Sequence, residues 1–403
     1  MTSTPSFPGF AGPVVPAPSN DLVHFRIEVD RSRCATDDPV INARLIVLEQ
    51  NGLTLSIAQL VASANLHFAG SVQDERSGLE DARMRAAWNL LRGWNMTSTP
   101  HHTWPSRRVL VVADQPNSRT TAMRSEVLAM GIALEIGIQL YNVEYPYWAA
   151  TEGNQAFDLS ATDEAGNEFR VEAGGRINRT NKGKAVQQVH AKFAAPNFSH
   201  AAGVVFFPRT NNRGREDIIV LDPEGEPERH MANSRYRNLL MHYVPIFIAQ
   251  GGLVRAFGKR LKALSASPDQ EFSSYSEGGD AALSSPTTHR GRSGFRWNGT
   301  LYIGAFFEDI AWPIWLTRIE RPLDAGVFFW GIAEEVIRVF QGGQPASLKF
   351  AAPEQPIVSR TERVMSIVMP DRTLLIWAET MRELTAAEDS RVSNLHDERT
   401  PTE

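Results

Sequence analysis

The chain reads as a mixed α/β protein, with a central α/β unit flanked by N-terminal and C-terminal α+β units. Three observations carry this reading. Segments with apolar residues every three or four positions are interleaved with short apolar runs, the pattern of helices packed on buried strands. At 403 residues the chain exceeds one ordinary domain. Its composition, 42% apolar and 22% charged, is that of a globular protein.

Residues 1–20 are rich in proline and lack both a charged start and a continuous apolar stretch. They read as a disordered tail, not as a signal peptide. An N-terminal α+β domain is expected over 21–100. LVHFRIEVD alternates like a strand, and ARLIVLEQNGLTLSIAQLV suggests two strands joined at Asn51-Gly52. Met84, Ala87, Leu90 and Leu91 give residues 81–94 helical spacing. Residues 95–106 are polar, hold two prolines and the His101-His102 pair, and read as a loop.

The central unit is expected over 107–250. RRVLVVAD suggests a buried strand, and Asn117-Ser118 suggests a cap for a helix over 118–138. Met123, Val127, Met130, Leu134 and Ile138 form its apolar stripe, and Glu126 and Glu135 are its carboxylates. LYNVEYPYWA follows as a strand, and then a hairpin: residues 157–161, a turn at 163–167, and residues 168–173. A helix over 182–195, the strands AGVVFF and DIIVLD, and a helix over 233–250 complete the unit. Pro245 should kink or interrupt that last helix. Residues 254–264 read as a basic helix, and the Ser/Gly-rich stretch 265–293 as a mobile loop. A C-terminal α+β domain is expected over 294–386, with strands in FRWNGTLYIGAFF and a helix over 331–340; its aromatic residues read as core. Residues 387–403 read as a charged, disordered tail.

Several classes of function are set aside by composition. The net charge of −5 removes a whole-protein basic field, so contact with nucleic acid must come from local patches. A single cysteine, Cys34, rules out an intramolecular disulfide and multi-cysteine zinc sites, and fits a cytoplasmic protein. No apolar run is long enough to span a membrane. There is no P-loop, G-x-S-x-G or H-E-x-x-H motif. The His101-His102 pair reads as surface, and His190 as packing or surface.

The hairpin is where chemistry is suggested. Asp158 lies at the start of its first strand and Glu172 near the end of its second, beside Gly174-Gly175. Two carboxylates brought together in this way suit a hard divalent cation. The order of elements, with Asp158 and Glu172 on consecutive strands, resembles the PD-(D/E)XK nuclease superfamily over residues 107–225. The resemblance implies a restriction-endonuclease-like αβββαβ core and a DNA endonuclease dependent on Mg²⁺ or Mn²⁺, plausible in restriction or phage defence. It implies Asp158, Glu172 and a helix glutamate, Glu126 or Glu135, as metal ligands. Gln187 or Gln188 would be the polar residue of the following helix; we take Glu126 and Gln188. The family's E-x-K reads Glu172-Ala173-Gly174 here, so its lysine is missing. Arg176, Lys182, Lys184 and Lys192 are the candidate replacements, with Lys184 the first choice because a helix residue can project back over the strand ends. An arginine stays protonated and is a poor general base, so Arg176 would act on phosphate charge.

Basic residues that suit a phosphate backbone are Lys182 in the loop-to-helix entry, Arg209, Arg213 and Arg215, then Arg255 and Lys259 on one helix, and Arg290 and Arg292. DNA is the expected partner, and a homodimer is compatible with the sequence. The second reading is a catalytically inactive nuclease-fold protein that binds nucleic acid or another partner. A third is an unrelated α/β protein.

Overall fold

A computed structural model describes residues 22–32, 36–57, 59–60, 63–64, 96–112, 118–151, 158–176, 182–193, 200–209, 213, 217–224, 228–229, 234–250, 294–307, 326–342, 357–360, 364–378 and 380–388. The expected helix at 81–94, the basic helix at 254–264, the loop at 265–293 and the N-terminal tail lie outside them. The described residues fall into two compact units, 22–250 and 294–388.

The first unit opens with β1 (Leu22–Phe25) and β2 (Ile27–Asp30). Helix α1 (Pro39–Asn51) follows, where two strands around Asn51-Gly52 were expected. Its start is set by Asp38, whose carboxylate accepts from Val40 N at 2.8 Å and Ile41 N at 3.2 Å, with Pro39 in the first turn. Its end is Gly52, at φ 68°, whose N–H reaches Leu48 O. Asn-Gly serves a helix end as well as a hairpin, because both need positive φ; the upstream Asp-Pro cap decides between them. β3 (Leu53–Ser56) then pairs antiparallel with β1. The expected polar loop holds β4 (Met96–Pro100), which pairs antiparallel with β5 (Arg108–Val112).

Helix α2 (Ser118–Tyr141) is longer than its apolar stripe suggested. It consumes the start of LYNVEYPYWA; a 3₁₀ turn at Tyr145–Tyr147 and the three-residue strand β6 (Trp148–Ala150) take the rest. Fully buried Trp148 anchors this corner, its indole N–H donating to Val143 O at 3.1 Å. Then come β7 (Leu159–Thr162), β8 (Asn167–Gly175), α3 (Lys182–Phe193), β9 (His200–Phe206), β10 (Ile218–Glu224), the short β11 (Glu228–Arg229) and α4 (Ser234–Gln250), which runs through Pro245.

The main sheet has the order β2-β10-β9-β8-β7-β6, with β11 also on β8. β7 is antiparallel to both β6 and β8, β8 and β9 are parallel, β9 and β10 are antiparallel, and β10 and β2 are parallel. From α2 to β9 the chain is thus helix, three antiparallel strands, helix, and a parallel strand reached by crossover. Neighbouring residues of a strand face opposite sides. A Cβ on Gly175 would meet α2, and one on Gly174 would touch Val189 of α3, so the two helices cover opposite faces. On the α3 face, Ala185, Val186, Val189 and Phe193 pack on Ala201, Val205, Ile219 and Leu221. β9 is buried along its whole length, as a strand covered on both sides must be.

β2 belongs to this sheet, so the boundary expected near residue 100 does not separate two compact units. Asp217 ties the segment in, accepting from Arg26 N at 3.0 Å. β2 takes the edge beside β10, and the described N-terminal residues fall in the same compact unit as the central ones.

The second unit is a six-stranded antiparallel sheet of order β12-β13-β14-β17-β16-β15. Its strands are β12 (Gly294–Trp297), β13 (Thr300–Phe307), β14 (Val327–Ala333), β15 (Ile357–Arg360), β16 (Val364–Val368) and β17 (Thr373–Ala378); α5 (Glu334–Gly342) follows β14. β14 thus continues three residues into the stretch expected to start the helix. Asn298 and Gly299, at φ 49° and 80°, make the two-residue turn between β12 and β13. Phe295, Phe306 and Phe329 pack edge-on and tilted against one another in its core, as their apolar setting suggested. Residues 381–388 are helical, so the stretch read as a tail begins inside a helix. Among the described residues no helix is long and apolar enough to cross a membrane.

Candidate active site

The β7–β8 hairpin forms as the alternation suggested. Its turn is closed by Asp163, whose carboxylate accepts from Ala165 N at 2.9 Å and Asn167 N at 2.8 Å, with Gly166 at φ 84°. Leu159 pairs with Val171, so the next step of the same register sets Asp158 directly opposite Glu172. Directly opposed residues share a face, with Cβ atoms about 5 Å apart. Asp158 is held there by Ala173 N, which donates to Oδ2 at 2.8 Å, and by Thr151 N, which donates to its carbonyl at 3.1 Å.

Two glycines bring the helices to this point. A Cβ on Gly175 would lie 2.2 Å from the Ser125 carbonyl carbon and 2.3 Å from Glu126 N, so only glycine lets α2 approach here. Gly203 pairs with Glu172 across β8 and β9, and a Cβ there would lie 2.5 Å from Val189. Its absence lets α3 settle beside Glu172. Gln188 and Lys192, one turn apart, then face the carboxylates. The result is a cleft of about 550 Å³ lined by Glu126, Asp158, Glu172, Arg176, Gln188 and Lys192, among others.

Lys192 is the basic residue at the carboxylates. Its Nζ lies 2.6 Å from one Glu172 oxygen and 2.7 Å from the other. Glu172 is only 7% exposed. Burial first, and then the charge of Asp158, pushes its carboxyl up to about 8 against the pull of Lys192. Two carboxylates are therefore held together in a poorly solvated place, and one ammonium group only partly offsets them. A cation would relieve that repulsion.

Lys184, the first choice, is exposed and does not line the cleft. It shares the helix face of Gln188 and Lys192 but lies two turns away, about 12 Å along the axis. Glu172 sits three residues back from the end of β8, so the helix must descend beside the strand before a side chain can reach it. Lys182 is paired with Glu28 of β2. Arg176 does enter the cleft: its guanidinium donates to Gln188 Oε1 at 2.6 Å and lies 3.9 Å from Glu126. Glu126 stands at the rim, because α2 meets the strand at Gly175 and not at Glu172. Among the described residues no group of three or more His, Cys, Asp or Glu side chains is placed to hold a metal ion, so the expected trio with Glu126 is not formed. Asp158 and Glu172 remain a fit for Mg²⁺ or Mn²⁺, since Mg²⁺ keeps several waters and needs few carboxylates.

Glu135, the other helix carboxylate, points away from the cleft. It is buried and accepts from Ser63 Oγ at 3.2 Å, and Tyr145 donates to that same Ser63 at 3.3 Å. Burial raises its carboxyl to about 7, with hydrogen bonds from Gln59 and Ser63 pulling the other way.

Arg209 is not a surface contact. It is buried in an ion pair with Asp217, one of whose bonds measures 2.8 Å, and it closes the β9–β10 connection. Arg213 is exposed, while Arg215, Arg255, Lys259, Arg290 and Arg292 lie outside the described residues. His101 is buried, not at the surface: Thr103 N and Trp104 N both donate to its Nδ1 at 3.2 Å. His190 is buried against Phe193, in keeping with a packing role.

No family model matches this chain, and no curated protein or solved structure matches it either.

Proposed function

We propose that the protein is a metal-dependent DNA endonuclease of the restriction-endonuclease-like, PD-(D/E)XK type, in which Lys192 of α3 takes the place of the missing motif lysine. The observation that carries the reading is the Asp158–Glu172–Lys192 constellation: two opposed carboxylates on adjacent strands, with a lysine across both oxygens of the buried one. The order helix, three antiparallel strands, helix, parallel strand supports it, because that is the arrangement the family resemblance leads one to expect.

In this mechanism Asp158 and Glu172 would hold the cation. A bound Mg²⁺ or Mn²⁺ would offset charge on the scissile phosphate and help activate the attacking water. Lys192 orients that water from the Glu172 side and holds a proton near it. Arg176, steadied by Gln188, binds a non-bridging phosphate oxygen and offsets charge that builds in the transition state. The charged groups that line the cleft, Arg176 and Lys192, suit a backbone phosphate.

The test is incubation of the purified protein with plasmid DNA in Mg²⁺, Mn²⁺ or EDTA. Wild type should nick or linearise it only with metal, and Asp158→Asn and Glu172→Gln should each abolish cutting with the fold retained. Cutting by either variant at the wild-type rate would move the active site elsewhere. The second reading is a nuclease-fold protein that binds without cutting. Binding of DNA with no cleavage in either metal would establish it.

A further inference from the structure

Glu172 and Lys192 meet in the cleft as a fixed carboxylate and a movable cation. The Lys192 Nζ lies 2.6 Å from Oε1 of Glu172 and 2.7 Å from Oε2, so the ammonium group sits astride the carboxylate. A divalent cation such as Mg²⁺ sits about 2.1 Å from its carboxylate oxygens. Astride Glu172, the ammonium group and such a cation would claim the same place. Two positive charges forced together there repel strongly, because the cleft is poorly solvated.

Of the two partners, the lysine is the one able to move. The Glu172 side chain is 9% exposed and that of Lys192 is 31% exposed. Glu172 projects from β8, which pairs with β7 on one side and β9 on the other. Opposite it, Asp158 is held by Ala173 N at 2.8 Å. Lys192 stands on a helix whose Val189 and Phe193 are packed into the core, so its backbone is fixed as well. Its four-carbon stem and rotatable ammonium group are not. Among the described residues of the cleft lining, the other cation is Arg176, and it meets different partners: Gln188 Oε1 at 2.6 Å and Glu126 at 3.9 Å. The contest for Glu172 therefore falls to Lys192.

We propose that Lys192 is a tethered competitor for the divalent cation: its ammonium group holds the place on Glu172, and the cation enters by exchange with it. The inference rests on the reading of Asp158 and Glu172 as metal ligands and adds a control on when they are loaded. Exchange leaves both carboxylates where they are and swings the Lys192 stem toward the open side of the cleft. From there the ammonium group can meet the attacking water or a phosphate oxygen, so one movement both admits the metal and readies the lysine.

The experiment is pulsed acetylation of the full chain by acetic anhydride, in EDTA or in saturating Mg²⁺, with the rate at each lysine read by mass spectrometry. Acylation needs the nitrogen clear of its ion pair, so the rate at Lys192 reports its release. Mg²⁺ should raise that rate in wild type by about tenfold, the low end for the loss of a close charge pair. Lys184, exposed and outside the cleft lining, is the internal reference and should not change. Glu172→Gln should label fast at Lys192 even in EDTA, and Asp158→Asn should lose the response to Mg²⁺; circular dichroism confirms both folds. A Lys192 rate in wild type that Mg²⁺ leaves unchanged or lowers overturns the proposal, whatever the variants do. So does a rise that Lys184 shares, or one that persists in folded Asp158→Asn. The two readings fail separately. Metal-dependent cutting of plasmid with no release of Lys192 sinks the exchange and leaves the nuclease reading standing. Release of Lys192 by Mg²⁺ with plasmid left uncut in every metal sustains the exchange and sinks the nuclease reading.

Discussion

Lys192 stands twenty positions after Glu172 in the chain, yet its ammonium group spans both oxygens of that carboxylate. The place where the family lysine would stand, Gly174, is open: a Cβ there finds nothing nearer than Val204 O at 3.8 Å. Both positions line the same cleft. This makes the lysine's role testable by moving it. Lys192→Ala should lower the rate of cleavage by about 10²–10⁴, the usual weight of a positioned proton-transfer group. Adding Gly174→Lys should restore at least tenfold of that loss, because the new ammonium group would enter from the strand instead of the helix. Single-turnover cleavage at saturating DNA measures it; a double variant no faster than Lys192→Ala would show that Lys192 does not act as the motif lysine. The Asp158–Glu172 pairing was legible in the sequence because it is local, with alternation and the turn Asp163-Glu164-Ala165-Gly166-Asn167 specifying the register. Which of four basic residues reaches Glu172 was not, because that depends on how far α3 descends beside β8.

At the scale of elements, the site depends on two close approaches. α2 crosses β8 at Gly175 and α3 rests beside Glu172 at Gly203. A methyl group on Gly175 would collide with main-chain atoms of Ser125 and Glu126, which cannot rotate aside. Gly175→Ala should therefore cost about 1–3 kcal/mol of stability as α2 is pushed outward. Gly174→Ala, one residue away on the other face, meets only ordinary contacts and should be neutral or slightly stabilising, by about 0.4–1 kcal/mol. Chemical denaturation of the two variants measures the contrast; equal stabilities would mean that α2 does not press on Gly175. The same elements mark where local pattern misled. Asn51-Gly52 fits a hairpin turn and a helix end equally, and Asp38-Pro39 thirteen residues upstream settles it. The 95–106 segment looked like a loop because threonine and serine dilute its apolar pattern, but pairing with the apolar β5 makes Met96–Pro100 a strand.

For the molecule as a whole, stability should depend on pH through Glu135. Its carboxyl is raised to about 7 by burial, from an ordinary value near 4.5. A raised acid is protonated in the folded chain and ionised in the unfolded chain between those values. Its contribution is therefore fully present below pH 4.5 and is lost as pH rises through 7. The shift corresponds to on the order of 3 kcal/mol. Glu135→Gln keeps the volume and the bond from Ser63 and cannot ionise, so its unfolding free energy should fall less between pH 5 and 8 than that of wild type. Denaturant melts of metal-free protein at the two pH values measure this, and parallel profiles would refute it. The sequence by itself determined the mixed α/β class, the Asp158–Glu172 hairpin, the two helices that flank it and the buried β9 and β10, because each is written in short-range periodicity, turn chemistry or apolar runs. Only the tertiary structure decided that β2 completes the main sheet, that Arg209 is buried on Asp217, and that Lys192 and not Lys184 meets Glu172. These are outcomes of packing between segments far apart in the chain, where the separation of two surfaces is set by side chains such as Val189 against Gly203, and no local pattern carries that distance.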